Sequence, residues 1–231
     1  MQELIATVEQ FRGDGGCAWF EAQTHRSLVK YLVEETAELV DAIEAGDDAG
    51  MREELGDVLF QVLFHANIAA ARGAFTLDDV AAEQQDKLVR RNPHVFGPNP
   101  TRDIDEIIRL WEEAKAIEKR DRTSVLDGIA RAMPAIAHAE KVLGKGAKVD
   151  ARLADPADLA AVGGPAAPDP AEAHPAAPDS AEVAFGDELL AMIARARTDG
   201  IDAERALREA VRRLEHRIRA AEATAAADAE R

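Results

Sequence analysis

Glu34-Glu35-Thr36-Ala37-Glu38 and, downstream, Glu53-Glu54-Leu55-Gly56-Asp57 decide how the chain folds. Around the first stretch, Leu28, Leu32, Leu39 and Ile43 recur at helical spacing, and Glu35 falls between Leu32 and Leu39 on the same apolar face. Glu38 follows one turn on, nearly in line with Glu35. The second stretch opens Val58-Leu59-Phe60-Gln61-Val62-Leu63-Phe64, which is apolar almost all round and reads as a buried helix. Asp57 stands at its start, with Glu54 one turn earlier. A carboxylate on a buried face costs several kcal/mol unless it is paired or metal-bound. Too few cations lie near these two pairs to neutralise them. A hard divalent cation with oxygen ligands does so most simply, and Mg2+ fits best. An EExxE run by itself is usually a solvated helix face. Here Glu35 is in phase with the leucines and Asp57 is embedded in apolar sequence, which favours a metal site.

The flanking sequence reads mostly as helices, and no stretch alternates like a strand. A short amphipathic helix over 2–12 places Leu4, Ile5, Val8 and Phe11 on one side and ends at Gly13-Asp14-Gly15-Gly16. Thr24 caps a helix over about 25–45, and Gly46-Asp47-Asp48 closes it. Further helices are expected over about 49–72, from Thr76 to Arg91, and over about 103–120. Ser124 to Val142 reads as one more helix, bent near Pro134. Residues 151–181 are mostly Ala, Pro, Asp and Gly and read as a flexible, partly extended linker. Helical pattern resumes over about 182–223, broken at Asp199-Gly200, and a frayed tail is expected over 223–231. The expected organisation is a four- to five-helix domain over 1–120, a connecting helix in 121–150, the linker, and a helical segment over 182–231.

Composition narrows the function classes. The 231 residues carry a net charge of −16, which argues against a general nucleic-acid binder. The single cysteine, Cys17, cannot form an internal disulfide, so a cytoplasmic protein is expected. The N-terminus has no pattern of a signal peptide, and no window is apolar enough to span a membrane.

Several co-linear motifs resemble the MazG family of nucleoside triphosphate pyrophosphohydrolases, within the all-α NTP pyrophosphatase group. They are Cys17 and Trp19, Gln23-Thr24-His25, the acidic runs at 34–38 and 53–57, FQVLFHA at 60–66, KLVRRNPHVFG at 87–97 and WEEAK at 111–115. The resemblance covers about residues 1–148. Where the family usually has Pro, Asp and His, this chain has Ala18, Phe20 and Asn92. The resemblance implies Mg2+-dependent hydrolysis of (d)NTPs to (d)NMP and pyrophosphate, with Mn2+ able to replace Mg2+. It places the metal ligands at Glu35, Glu38, Glu54 and Asp57, and makes Glu34 an outer-shell or base candidate beside Glu35 and Glu38. It assigns nucleotide contacts to Lys87 and Arg91, four apart on one helix, and to Trp111, Lys115 and Lys119. Trp111 fits base stacking and core packing equally well.

Trp19 and Cys17 read as packing residues, and His65 as a hydrogen-bonded core histidine. His94 suits either a phosphate contact or a brace for its turn. A short single domain leaves apolar helix faces exposed, so a homodimer forming a larger bundle is expected. Family members carry tandem copies of the domain. Here Phe185-Gly186-Asp187-Glu188-Leu189-Leu190 resembles 55–60, but Val183-Ala184 replaces Glu53-Glu54. The second copy is therefore expected to be degenerate and without a catalytic site. The alternatives are a narrow dUTP/dCTP or phosphoribosyl-ATP pyrophosphatase, and a non-catalytic nucleotide-binding regulator.

Overall fold

The structure is a computed structural model, and it describes residues 1–161 and 180–229. All regular elements among them are helical. Packing divides the chain into two compact units, Met1–Arg120 and Asp121–Arg231.

The first unit is built on a hairpin of α3 (His25–Ala45) and α4 (Asp48–Ala71). Thr24 starts α3 with a reciprocal cap: its Oγ1 accepts from the Ser27 N–H at 3.1 Å, and Ser27 Oγ accepts from the Thr24 N–H at 2.9 Å. Gly46 ends α3 at φ 67°, a left-handed conformation that suits glycine. Asp47 then caps α4 by accepting from the N–H groups of Ala49 and Gly50, each at 3.1 Å. His25 meets His65, and Glu38 lies beside Glu54, so the two helices run antiparallel.

The hairpin carries the core of this unit. Leu28, Leu63, Phe64, Ala66 and Ala69 are buried, with Val8 from α1 (Gln2–Arg12). The short α2 (Ala18–Glu21) brings Phe20 against Phe11, Phe60 and Phe64, with ring centroids 4.6, 6.1 and 5.4 Å away. The expectation of a helix buried all round holds for only one side of α4. Gln61, Leu63 and Phe64 are buried, whereas Leu55 and Val62 are 51% and 42% exposed. After α4 come α5 (Leu77–Arg91), α6 (Pro93–Phe96) and α7 (Ile104–Glu118), with α5 on α4 and α7 on α5 and α6.

The second unit departs from the sequence reading at three places. Residues 124–134 do not continue a helix. Asp127 Oδ2 accepts from the N–H groups of Thr123 and Ser124, each at 3.0 Å, and Arg122 donates to the Asp127 carbonyl. Such side-chain bonds compete with a helical ladder. Pro134 becomes the N-cap of α8 (Ala135–Gly146), so it begins this helix where a bend was expected. The first residues of the expected linker are also ordered. A 3₁₀ turn (Ala151–Ala154) is capped by Asp150, and Asp155 Oδ1 accepts from the Ala157 N–H at 2.8 Å to start α9 (Pro156–Ala161). The rest of the expected linker, 162–179, lies outside the described residues. Finally, α10 (Ser180–Thr198) is followed by α11 (Ala203–Ala229), which extends as far as Ala229 into the stretch expected to fray, of which 230–231 lie outside the described residues. Its alanine-rich sequence after Arg219 accounts for that, because alanine has the highest helix propensity.

Candidate active site

The α3–α4 hairpin brings the two acidic stretches face to face. Glu35, Glu38 and Glu54 each offer a carboxylate oxygen, and these atoms lie within 4.8 Å of one another. Asp57 is outside that trio, but its charge acts on both Glu35 and Glu54. Glu35, Glu54 and Asp57 are half-buried, while Glu38 and Glu34 are exposed. Burial first, then the charges of Asp57, Glu38, Glu54 and Glu34, hold the Glu35 carboxyl above its ordinary range. Glu54 is raised by burial, then by Glu38, Asp57 and Glu53. Its Oε2 atom is buried without a hydrogen-bond partner. None of the four carboxylates has an ion pair among the described residues. An all-oxygen acidic donor set with an orphaned buried oxygen fits a hard divalent cation such as Mg2+ or Mn2+.

The raised groups have a consequence for stability. A glutamate whose folded pKa lies above its unfolded value binds its proton more tightly in the folded state. The cluster therefore destabilises the metal-free protein at neutral pH, and the penalty is relieved as pH falls through the folded pKa values. Thermal melts without divalent cation should show the cluster's contribution improving from neutral pH toward the ordinary glutamate range. Saturating Mg2+ should raise the melting temperature most at the upper end of that window, where the carboxylates are ionised. Equal Mg2+ stabilisation at both ends would contradict this.

The residues assigned to nucleotide form a second group. Arg91 on α5 lies with its guanidinium carbon 5.7 Å from the Trp111 ring centroid, and Lys115 Nζ lies 4.2 Å from it. These three are brought together by the packing of α7 on α5. Lys87 sits one turn before Arg91 on α5, and Lys119 is the C-cap of α7. The same group contains a residue that the sequence reading passed over. Glu118 accepts from Arg91 Nε at 3.0 Å and from Arg90 Nη2 at 3.2 Å. Its spacing places Glu118 on the face of Trp111, two turns on, and of Lys115, three residues on, but only the packing of α7 on α5 shows that it meets the arginines.

His65 departs from its reading as a core histidine with all its hydrogen bonds made. Its Nδ1 lies 2.8 Å from His25 Nδ1, with the rings within 1° of parallel, yet both Nε2 atoms are buried without partners. Burial and the neighbouring His25 push the His65 pKa down. Cys17 is a half-buried free thiol, and Trp19 is 48% exposed with its ring 5.9 Å from Tyr31.

The fold and this site define an all-α protein organised around a carboxylate-bearing helical hairpin. Residues 23–96 match the profile of the MazG nucleotide pyrophosphohydrolase domain. The chain is 38% identical to the nucleoside triphosphate pyrophosphohydrolase/pyrophosphatase MazG of Thermotoga maritima, over 94% of this chain and 84% of that protein. It is 36% identical to the nucleoside triphosphate pyrophosphohydrolase of Escherichia coli K12, over 98% and 89% respectively. A crystal structure of a mazG-related protein from Thermotoga maritima aligns with a TM-score of 0.44 at 26% identity, covering 50% of this chain and 98% of that one. The chain belongs to the MazG family of pyrophosphohydrolases, a family of hydrolases.

Proposed function

We propose that the protein hydrolyses (d)NTPs to (d)NMP and pyrophosphate, using a divalent cation held by Glu35, Glu38, Glu54 and Asp57. The observation that carries this reading is the trio of carboxylates within 4.8 Å, with the orphaned Glu54 oxygen among them, on the hairpin of a MazG family chain. Bound there, Mg2+ supplies positive charge to phosphate oxygens and makes water more acidic. Glu35, Glu54 and Asp57 present half-buried oxygens on two helices of one hairpin, so the fold itself gathers them before the triphosphate arrives. Glu34 is exposed beside Glu35 and its charge acts on it, and it stands with Glu35 and Glu38 as a carboxylate able to take the proton of the attacking water. Lys87, Arg91, Lys115 and Lys119 supply cations for the phosphates, and Trp111 supplies an aromatic face for the base.

The same reading includes a homodimer. Val29 and Val33 on α3 are 53% and 64% exposed, and with Leu55 and Val62 on α4 they give the hairpin an apolar outer face. A second hairpin covering that face would complete a four-helix bundle. No described helix is long and apolar enough to cross a membrane, and the single cysteine suits a reducing compartment such as the cytoplasm. The second unit is read as a degenerate copy, because Val183-Ala184 stands where a ligand-bearing Glu-Glu pair would be needed.

Product analysis with Mg2+ across the common NTPs and dNTPs tests the proposal. NMP plus pyrophosphate, lost on adding chelator, is the expected result. NDP plus phosphate would move the cleavage site, and binding without turnover would point to a regulator.

A further inference from the structure

We propose that Glu118 is a positioning residue for the triphosphate: it holds Arg91 with its outer edge presented to phosphate, while the more exposed Arg90 shares the same carboxylate from the solvent side. The inference rests on the reading of Arg91 as a phosphate contact. One carboxylate takes two guanidinium groups here, one on each oxygen. Oε1 accepts from Arg90 Nε at 3.4 Å and Nη2 at 3.2 Å. Oε2 accepts from Arg91 Nε at 3.0 Å and Nη2 at 2.5 Å. Both arginines are thus gripped by the same Nε–Nη2 edge. The Nη1 corner of each has no partner among the described residues. A guanidinium is a planar fork, so fixing one edge fixes the direction of the other. Trp111 under Arg91 adds a second constraint, leaving the ring plane and the carboxylate to define the guanidinium's orientation.

The burial pattern suits this role. The Arg91 and Glu118 side chains are only 18% and 23% exposed, whereas Arg90 is 57% exposed. Arg91 is therefore the firmly held member and Arg90 the outer one. The paired arginines also hold the Glu118 carboxyl below its ordinary range, so it stays ionised through neutral pH. Two guanidinium groups on one carboxylate leave a net positive charge at the pair. The arrangement can still attract a polyanion while its geometry is locked. A carboxylate meant only to neutralise one arginine would instead block its phosphate-facing edge.

The test is steady-state kinetics on the full chain with Mg2+ and the best of the common NTPs or dNTPs. Four variants are compared with the wild type: Glu118→Ala, Glu118→Gln, Arg91→Ala and the double Glu118→Ala/Arg91→Ala. Loss of a positioned charge-assisted contact should raise KM about tenfold in Glu118→Ala, with kcat within about twofold. Glu118→Gln keeps one acceptor oxygen and should fall between Glu118→Ala and the wild type. Because Glu118 acts through Arg91, the double variant should be no worse than Arg91→Ala alone. Additive KM effects in the double variant would overturn the proposal. So would a lower KM in Glu118→Ala, which would make Glu118 a competitor of phosphate. If Arg91→Ala leaves KM unchanged, the phosphate assignment fails and this inference falls with it. Glu118→Gln replaces the alanine variant in the comparison if circular dichroism shows the latter unfolded.

Discussion

Replacing Glu38 by Gln should lower Mg2+-dependent turnover by about 10²–10³-fold while leaving the metal-free protein as stable as the wild type or more so. The two halves of this expectation come from the same geometry. Glu38 contributes one of three carboxylate oxygens within 4.8 Å, so its charge is part of what would bind a cation. Glutamine keeps the shape and an acceptor oxygen but removes that charge. Without metal, the Glu38 charge only repels its neighbours, and it helps raise both Glu35 and Glu54. Removing it relieves the repulsion. Activity and thermal stability should therefore move in opposite directions, as at sites where function is built on unfavourable electrostatics. A parallel loss of both would make Glu38 a structural residue. Melting curves without divalent cation, beside activity at saturating Mg2+, check this directly.

The second large effect is on folding. Phe64→Ala should destabilise the first unit by about 3–5 kcal/mol, the usual cost of emptying a fully buried aromatic site. Phe64 has no exposed surface. Its ring meets Phe20 at 5.4 Å and Phe60 at 5.6 Å, and the Arg12 guanidinium lies 5.4 Å from its centroid. These contacts tie α1 and α2 to the hairpin. Arg12 is further fixed by donating to the Phe20 carbonyl at 2.7 Å, so the surroundings have little room to collapse into the void. Chemical denaturation of the variant reads the cost as a lowered midpoint. A change below about 1 kcal/mol would show that the site refills or that Phe64 is not central to the core.

The hairpin was legible because two independent signals agree in it. The leucine spacing around Glu35 gives the helix and its inner face, and Thr24, Gly46 and Asp47 mark its ends with specific caps. The juxtaposition of Glu35, Glu38 and Glu54 then follows from joining two such helices by a two-residue turn. The second unit was less legible because side chains override helical pattern there. Asp127 captures backbone N–H groups that a helix would need, and Asp150 and Asp155 cap short turns in sequence that composition alone assigns to a linker. The Glu118 bridge was missed for another reason. Its partners are on α5, and nothing in α7 alone says which carboxylate of WEEAKAIE meets them. The His25–His65 pair has the same origin, a contact forty residues apart that periodicity does not encode.

Calorimetric titration of the nucleotide-free protein with Mn2+ tests whether the α3–α4 carboxylates hold a divalent cation as proposed. Saturable binding by the wild type, competition by Mg2+, and loss of that binding in Glu38→Gln at unchanged fold are expected. No binding by the wild type, or equal binding by both proteins, would contradict it.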